Sequence, residues 1–96
     1  MIMSVLSALS EPTRLEAMQL LGDGTEHCVC ELMKKLGATQ SRMSRHMQVL
    51  KQAGLVVDRR DAQWVRYRLN PDLPPEFVKV IDAVLAAAIQ TERKAA

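Results

Sequence analysis

Cys28 and Cys30 are the residues of this 96-residue chain best suited to chemistry: they are its only cysteines, and a single residue separates them. Thiolates are soft donors that hold thiophilic ions in preference to oxygen ligands. The same pair could serve as a thiol redox switch. Spacing restricts both uses. On a helix, side chains two positions apart diverge by about 200°, so one ion cannot touch both. In extended backbone they share a face. Ion capture therefore requires at least Cys28 to lie outside regular helix, and the expectation is that capture holds open or unwinds the first turn of the helix that follows. A bridge between such near neighbours closes a strained small ring, so free thiols are expected in a reducing compartment rather than a disulfide. Structural zinc takes four ligands, and only Cys28, Cys30 and His27 are close in sequence, which disfavours zinc. The plain alternative, two small buried apolar residues, stays open at this point.

A second set of residues is polar and basic. Between Glu31 and Arg68 nine basic residues face three acidic ones, a surplus of six, whereas the rest of the chain carries four basic and eight acidic residues. Such segregation points to a polyanion-binding face. Within it, Gln40, Ser41, Ser44, Arg45 and Gln48 are of the types that read base edges in a major groove, Gln to adenine and Arg to guanine. Arg42 falls on the flank of that group and suits a phosphate. Arg59, Arg60, Gln63 and Arg66 are candidates for phosphate or minor-groove contacts, with Arg68 a scaffold residue.

These groups need elements to hold them. A short apolar helix is expected over Ile2–Leu9. Ser10 is the expected cap of a second helix, with Pro12 in its first turn and its end near Leu21. A third helix, Val29–Leu36, buries Val29, Leu32, Met33 and Leu36 at i, i+3, i+4 and i+7. Gly37 and Ala38 break it and Thr39 caps a fourth, about Gln40–Ala53, with Met43, His46, Met47, Leu50 and Ala53 on its inner side. Two short helices joined by a glycine turn, the second polar outside, form a helix-turn-helix pattern. After Gly54 the period changes to two: Leu55–Asp58 and Trp64–Leu69 read as a β-hairpin, and the lack of Asn-Gly or Asp-Gly predicts a longer, mobile loop at its tip. A last helix, about Pro75–Glu92, is apolar over more than half its circumference and needs a second surface to cover it. A second copy of the chain is the simplest supplier, meeting it through Val5, Leu6, Phe77, Ile81, Val84, Leu85 and Ala88. His27 is expected at the surface, and Met33 and His46 are expected to be packed. The fold class is mainly α with a small β-hairpin, a homodimeric winged helix-turn-helix, as a single domain over 1–96.

From Ser10 to Pro71 the chain resembles the ArsR/SmtB family of winged-helix repressors, with arsenical-resistance repressors the nearest likeness. The matching runs are Ser10-Glu11-Pro12-Thr13-Arg14-Leu15, Cys28-Val29-Cys30-Glu31-Leu32, Ser44-Arg45-His46-Met47 and Trp64-Val65-Arg66-Tyr67-Arg68-Leu69. The resemblance implies a homodimer that occupies double-stranded operator DNA until a thiophilic ion, As(III) or Sb(III), binds Cys28 and Cys30. The family pattern has a third cysteine where this chain has Met33, so an intrachain three-thiolate site is impossible. A third ligand would be a small thiol, hydroxide, or a weak contact from Met33 or His27. The last helix lacks the histidines of a zinc or nickel site.

An enzyme is not expected, since no nucleophile–base set, phosphate-cradling glycine loop or paired-carboxylate cleft can be assembled. The uncharged runs fall short of the roughly 20 residues that cross a bilayer, and no basic stretch precedes the apolar N-terminus as in a secretory signal. No membrane association and a cytoplasmic location are the expectations.

Overall fold

Three of the helices begin at a residue whose side chain closes the first turn. In the computed structural model, which describes residues 1–95, α1 spans Ile2–Leu9 and α2 spans Pro12–Leu20. Pro12 forces the residue before it into extended backbone, and Glu11 takes φ −146° and ψ 131° there. Its carboxylate accepts the Arg14 N–H at 2.9 Å. The expected cap, Ser10, is therefore corrected to Glu11. Ser10 instead ends α1, its hydroxyl donating to the Ser7 carbonyl at 2.9 Å.

A short 3₁₀ turn, Leu21–Asp23, leads into β1 (His27–Cys28), α3 (Val29–Leu36) and α4 (Gln40–Gln52). Gly37 stops α3 at φ 66°, a left-handed conformation that glycine adopts without a Cβ clash. Thr39 caps α4 by accepting the Arg42 N–H at 3.3 Å. Met43, Met47 and Leu50 on α4 pack with Leu32 of α3, Met18 of α2, Leu21 and Leu55, all completely buried. Each side chain of this size stabilises the fold by roughly 1.5–3 kcal/mol when removed from water. Arg14 adds a polar tie between layers: Nε donates to the Ala8 carbonyl at 2.7 Å, and Nη1 meets His46 Nδ1 at 3.3 Å.

The hairpin comprises β2 (Val56–Asp61) and β3 (Trp64–Leu69), antiparallel with Val56 opposite Leu69 and Asp61 opposite Trp64. Its tip is thus the two residues Ala62 and Gln63, not the longer loop expected. Ala62 takes φ 56°, a conformation that costs a non-glycine residue on the order of 1 kcal/mol. Six cross-strand pairs and the Arg66–Asp61 ion pair at 2.8 Å beside the turn offset that cost. The strand β1, which was not anticipated, joins the other edge of β3, giving the order β1-β3-β2.

The last helix, α5, spans Pro75–Ala95. Its Ile81 is 4 % exposed and Val5 of α1 is completely buried. Both were expected on a dimer face and are corrected here: they face this chain's own core and are closed to a partner. Leu6 is 41 % exposed, and Phe77, Val84, Leu85 and Ala88 are half-buried.

Candidate sensor site and DNA-reading surface

Cys28 ends β1 and is also the cap of α3, with φ −65° and ψ 143°. A cap residue keeps extended backbone while the next residue is already helical, so its side chain turns back over the first turn. Cys28 Sγ accordingly accepts the N–H of Cys30 at 3.2 Å. Cys30 lies inside the helix, yet the Cα atoms are only 5.1 Å apart and the sulfurs are joined as a disulfide. One expectation changes: free thiols are replaced by a disulfide, because the extended-to-helical change at Cys28 removes the divergence that regular helix would impose. Cys28 itself lies outside regular helix, as the spacing argument required. Cys28 is nearly buried at 8 % exposure, and both cysteines open onto a pocket shared with Glu31, Lys34 and Lys35.

His27, expected at the surface, is 11 % exposed. Its Nε2 meets Asp23 Oδ1 at 3.0 Å and its Nδ1 meets Glu31 Oε2. The hydrogen bond to Asp23 is the main cause that holds the imidazole pKa above its usual value, with Glu31 adding to it against a burial penalty. In return the His27 hydrogen bond, helped by Thr25, holds the Asp23 carboxyl at about 2. This clamp fixes the segment that carries Cys28. The i, i+4 recurrence of Asp23, His27 and Glu31 is the sequence signal that could have revealed it. Both ring nitrogens being engaged, His27 is no free ligand, and Met33 packs against the core. Among the described residues no group of three or more His, Cys, Asp or Glu side chains is placed to hold a metal ion.

On α4, Gln40, Ser41, Arg42, Arg45 and Gln48 are exposed and Ser44 is half-buried. Ser41, Arg45 and Gln48 lie opposite the buried Met43, Met47 and Leu50, with Ser44 and Arg42 on the flanks and Gln40 in the first turn. On the hairpin, Arg60 and Gln63 are exposed at and beside the tip, whereas two of the other expected contacts already have carboxylate partners. Arg59 forms a two-pronged pair with Glu26 at 2.7 and 2.9 Å, and Arg66 is paired with Asp61. Arg59 stands directly opposite Arg66, where like charges repel, and the two carboxylates relieve that repulsion. Arg66 in turn stands opposite Cys28 across β1 and β3.

The family described as "Bacterial regulatory protein, arsR family" matches residues 11–57. The "Arsenic resistance transcriptional regulator ArsR2" of Pseudomonas putida is 43 % identical over 86 residues, which is 90 % of this chain and 75 % of that protein. The chain belongs to the ArsR family. A second relative, the "Arsenical resistance operon repressor" of Escherichia coli, is 42 % identical over 74 residues, 77 % of this chain but only 63 % of that protein. Among solved structures, the homodimeric winged helix-turn-helix DNA-binding domain Mb0332 of Mycobacterium bovis, described as a possible ArsR-family regulator, superposes with a TM-score of 0.75 at 26 % identity. The match covers 93 % of this chain and 79 % of that one. In this ArsR-family chain α3, Gly37 and α4 form the helix-turn-helix, and β2 and β3 form the wing. No helix among the described residues is long and apolar enough to cross a membrane.

Proposed function

We propose that this ArsR-family protein is a cytoplasmic, homodimeric transcriptional repressor, released from double-stranded operator DNA when As(III) or Sb(III) binds Cys28 and Cys30. The observation that carries this reading is the meeting of the two sulfurs at the cap of α3, the helix packed beneath α4 through Leu32. Once reduced, the pair supplies two thiolates to a trivalent metalloid. Because Cys28 sets the entry of α3, a ligand that repositions it tilts α3 and, through the shared core, α4. A coupling of about 1–3 kcal/mol changes operator affinity about 5- to 150-fold.

Gln40, Ser41, Ser44, Arg45 and Gln48 read the major groove in this proposal, and Arg42 contacts phosphate. Arg60 and Gln63 contact the backbone from the wing tip, and Arg59 and Arg66 do so only by exchanging their carboxylates for phosphates. The exposed Leu6, with Val84, Leu85, Ala88 and Phe77 of α5, supplies the dimer face. A twofold dimer reads half-sites about one helical turn apart. The test is arsenite titration of operator-bound protein under reducing conditions, for the parent chain, Cys28→Ser and Cys30→Ser. Release in the parent alone is expected. Undiminished release of both variants sinks the proposal.

The Cys28–Cys30 disulfide supports a second reading, in which oxidation of the pair is itself the signal. Peroxide or persulfide then releases the operator with no metalloid present, whereas the metalloid reading requires arsenite and reduced thiols.

A further inference from the structure

We propose that the metalloid site takes its third sulfur from a small thiol bearing carboxylates, and that Lys34 and Lys35 hold that thiol in the pocket beside Cys30. The proposal deepens the metalloid reading and rests on it. Trivalent arsenic makes three bonds, and the protein offers two sulfurs. Neither candidate within the chain can complete the set: both ring nitrogens of His27 are occupied by Asp23 and Glu31, and Met33 is committed to the core. The open side of the pair is the pocket lined by Glu31, Lys34 and Lys35, so the third ligand arrives from solvent.

The lining states which thiol fits. Lys34 lies four residues after Cys30, one helical turn along the same face. It is exposed and has no ion pair among the described residues. Lys35 is 54 % exposed and reaches Glu31 at 3.4 Å, while the Glu31 carboxylate is also engaged by His27. The one acid of the pocket is thus held by His27 and Lys35, which leaves the Lys34 ammonium unpaired and the Lys35 ammonium shared to meet a carboxylate-bearing ligand. The chemistry balances without change of arsenic oxidation state. Two equivalents of the small thiol reduce the Cys28–Cys30 disulfide and leave as their own disulfide. Cys28, Cys30 and one further thiol then replace the three hydroxyls of arsenous acid, releasing three waters.

The experiment compares arsenite-driven operator release for the parent chain and the Lys34→Ala/Lys35→Ala double variant, in glutathione and, separately, in the neutral thiol 2-mercaptoethanol. Exposed ion pairs of this kind are weak individually, so the double variant is expected to need about three- to tenfold more arsenite in glutathione. In 2-mercaptoethanol the two proteins should respond alike. Arsenic X-ray absorption on the parent chain should show three sulfurs with glutathione present. An equal shift in both thiols, no shift in glutathione, or two sulfurs and an oxygen at saturating glutathione overturns the proposal. If the parent chain ignores arsenite in either thiol, the metalloid reading itself falls, and this proposal with it. Circular dichroism and operator affinity without arsenite confirm that the double variant folds and binds. Weaker operator binding without arsenite assigns the lysines to DNA and counts against the thiol role.

Discussion

Replacing Cys28 by serine and by alanine separates its two roles, because the same sulfur both caps α3 and belongs to the proposed ligand pair. In the cap, Sγ accepts the Cys30 N–H at 3.2 Å from a position only 8 % exposed. A serine hydroxyl accepts the same N–H, so Cys28→Ser should fold as the parent does once both are reduced. Alanine offers no acceptor. Loss of an N-cap costs about 1 kcal/mol, which for a chain of this length lowers the melting temperature by about 4–8 °C. Calorimetry under reducing conditions reads that difference. Release is read by fluorescence anisotropy of labelled operator: both variants should hold the operator at parental affinity, and neither should lose it to arsenite. If alanine melts with serine, the sulfur is not a working cap. If the serine variant releases the operator at the parental arsenite concentration, the paired-sulfur argument is refuted, however well the protein folds.

Leu32→Ala empties a completely buried position between α3 and α4 and should cost about 2–5 kcal/mol in urea denaturation, with operator affinity falling as α4 loosens. Arg14→Lys keeps the charge but cannot reach both the Ala8 carbonyl and His46 as Arg14 does; a loss of about 1–3 kcal/mol is expected in the same assay. The His27 clamp gives stability a defined pH profile. With its folded pKa raised above 6.5, His27 contributes fully below that value, and the contribution disappears as pH rises through the folded pKa. Asp23, lowered from 3.8 to about 2, contributes above 3.8 and its share is lost as pH falls toward 2. His27→Gln should therefore flatten the alkaline limb of the urea midpoint against pH; an unchanged limb contradicts the clamp. Operator binding should weaken steeply with salt, with a log–log slope of about −0.9 per phosphate contacted. Arg60→Ala should reduce that slope more than Arg59→Ala, because Arg59 is already neutralised by Glu26.

The helices were legible because each buries one stripe: Val29, Leu32, Met33 and Leu36 on α3 and Met43, Met47 and Leu50 on α4 report a 3.6-residue period. Thr39 and Gly37 announced their roles because few residue types perform them. The misses share a different cause. β1 is two residues long and has no period to read; only its pairing with β3 makes it a strand. Ser10 and Glu11 are both able to cap, and the choice fell to the extended backbone that Pro12 demands. Ala62 at positive φ is not written in the turn sequence, since tip geometry followed from strand register. Val5 and Ile81 were apolar as expected, but an apolar position does not say whether its own core or a partner covers it. For the cysteines, the requirement that Cys28 lie outside regular helix was legible from spacing; the disulfide was not, because a single residue of extended backbone before a helix is enough to swing two side chains together.

Cys28 is a joint between two elements: the last residue of the strand opposite Arg66 in the wing sheet and the first support of the helix beneath α4. A shift at that joint cannot be absorbed by one arm while the other stays in register. Loss of DNA should accordingly be concerted, with no lingering species that has let go of the bases and still clings by its wing.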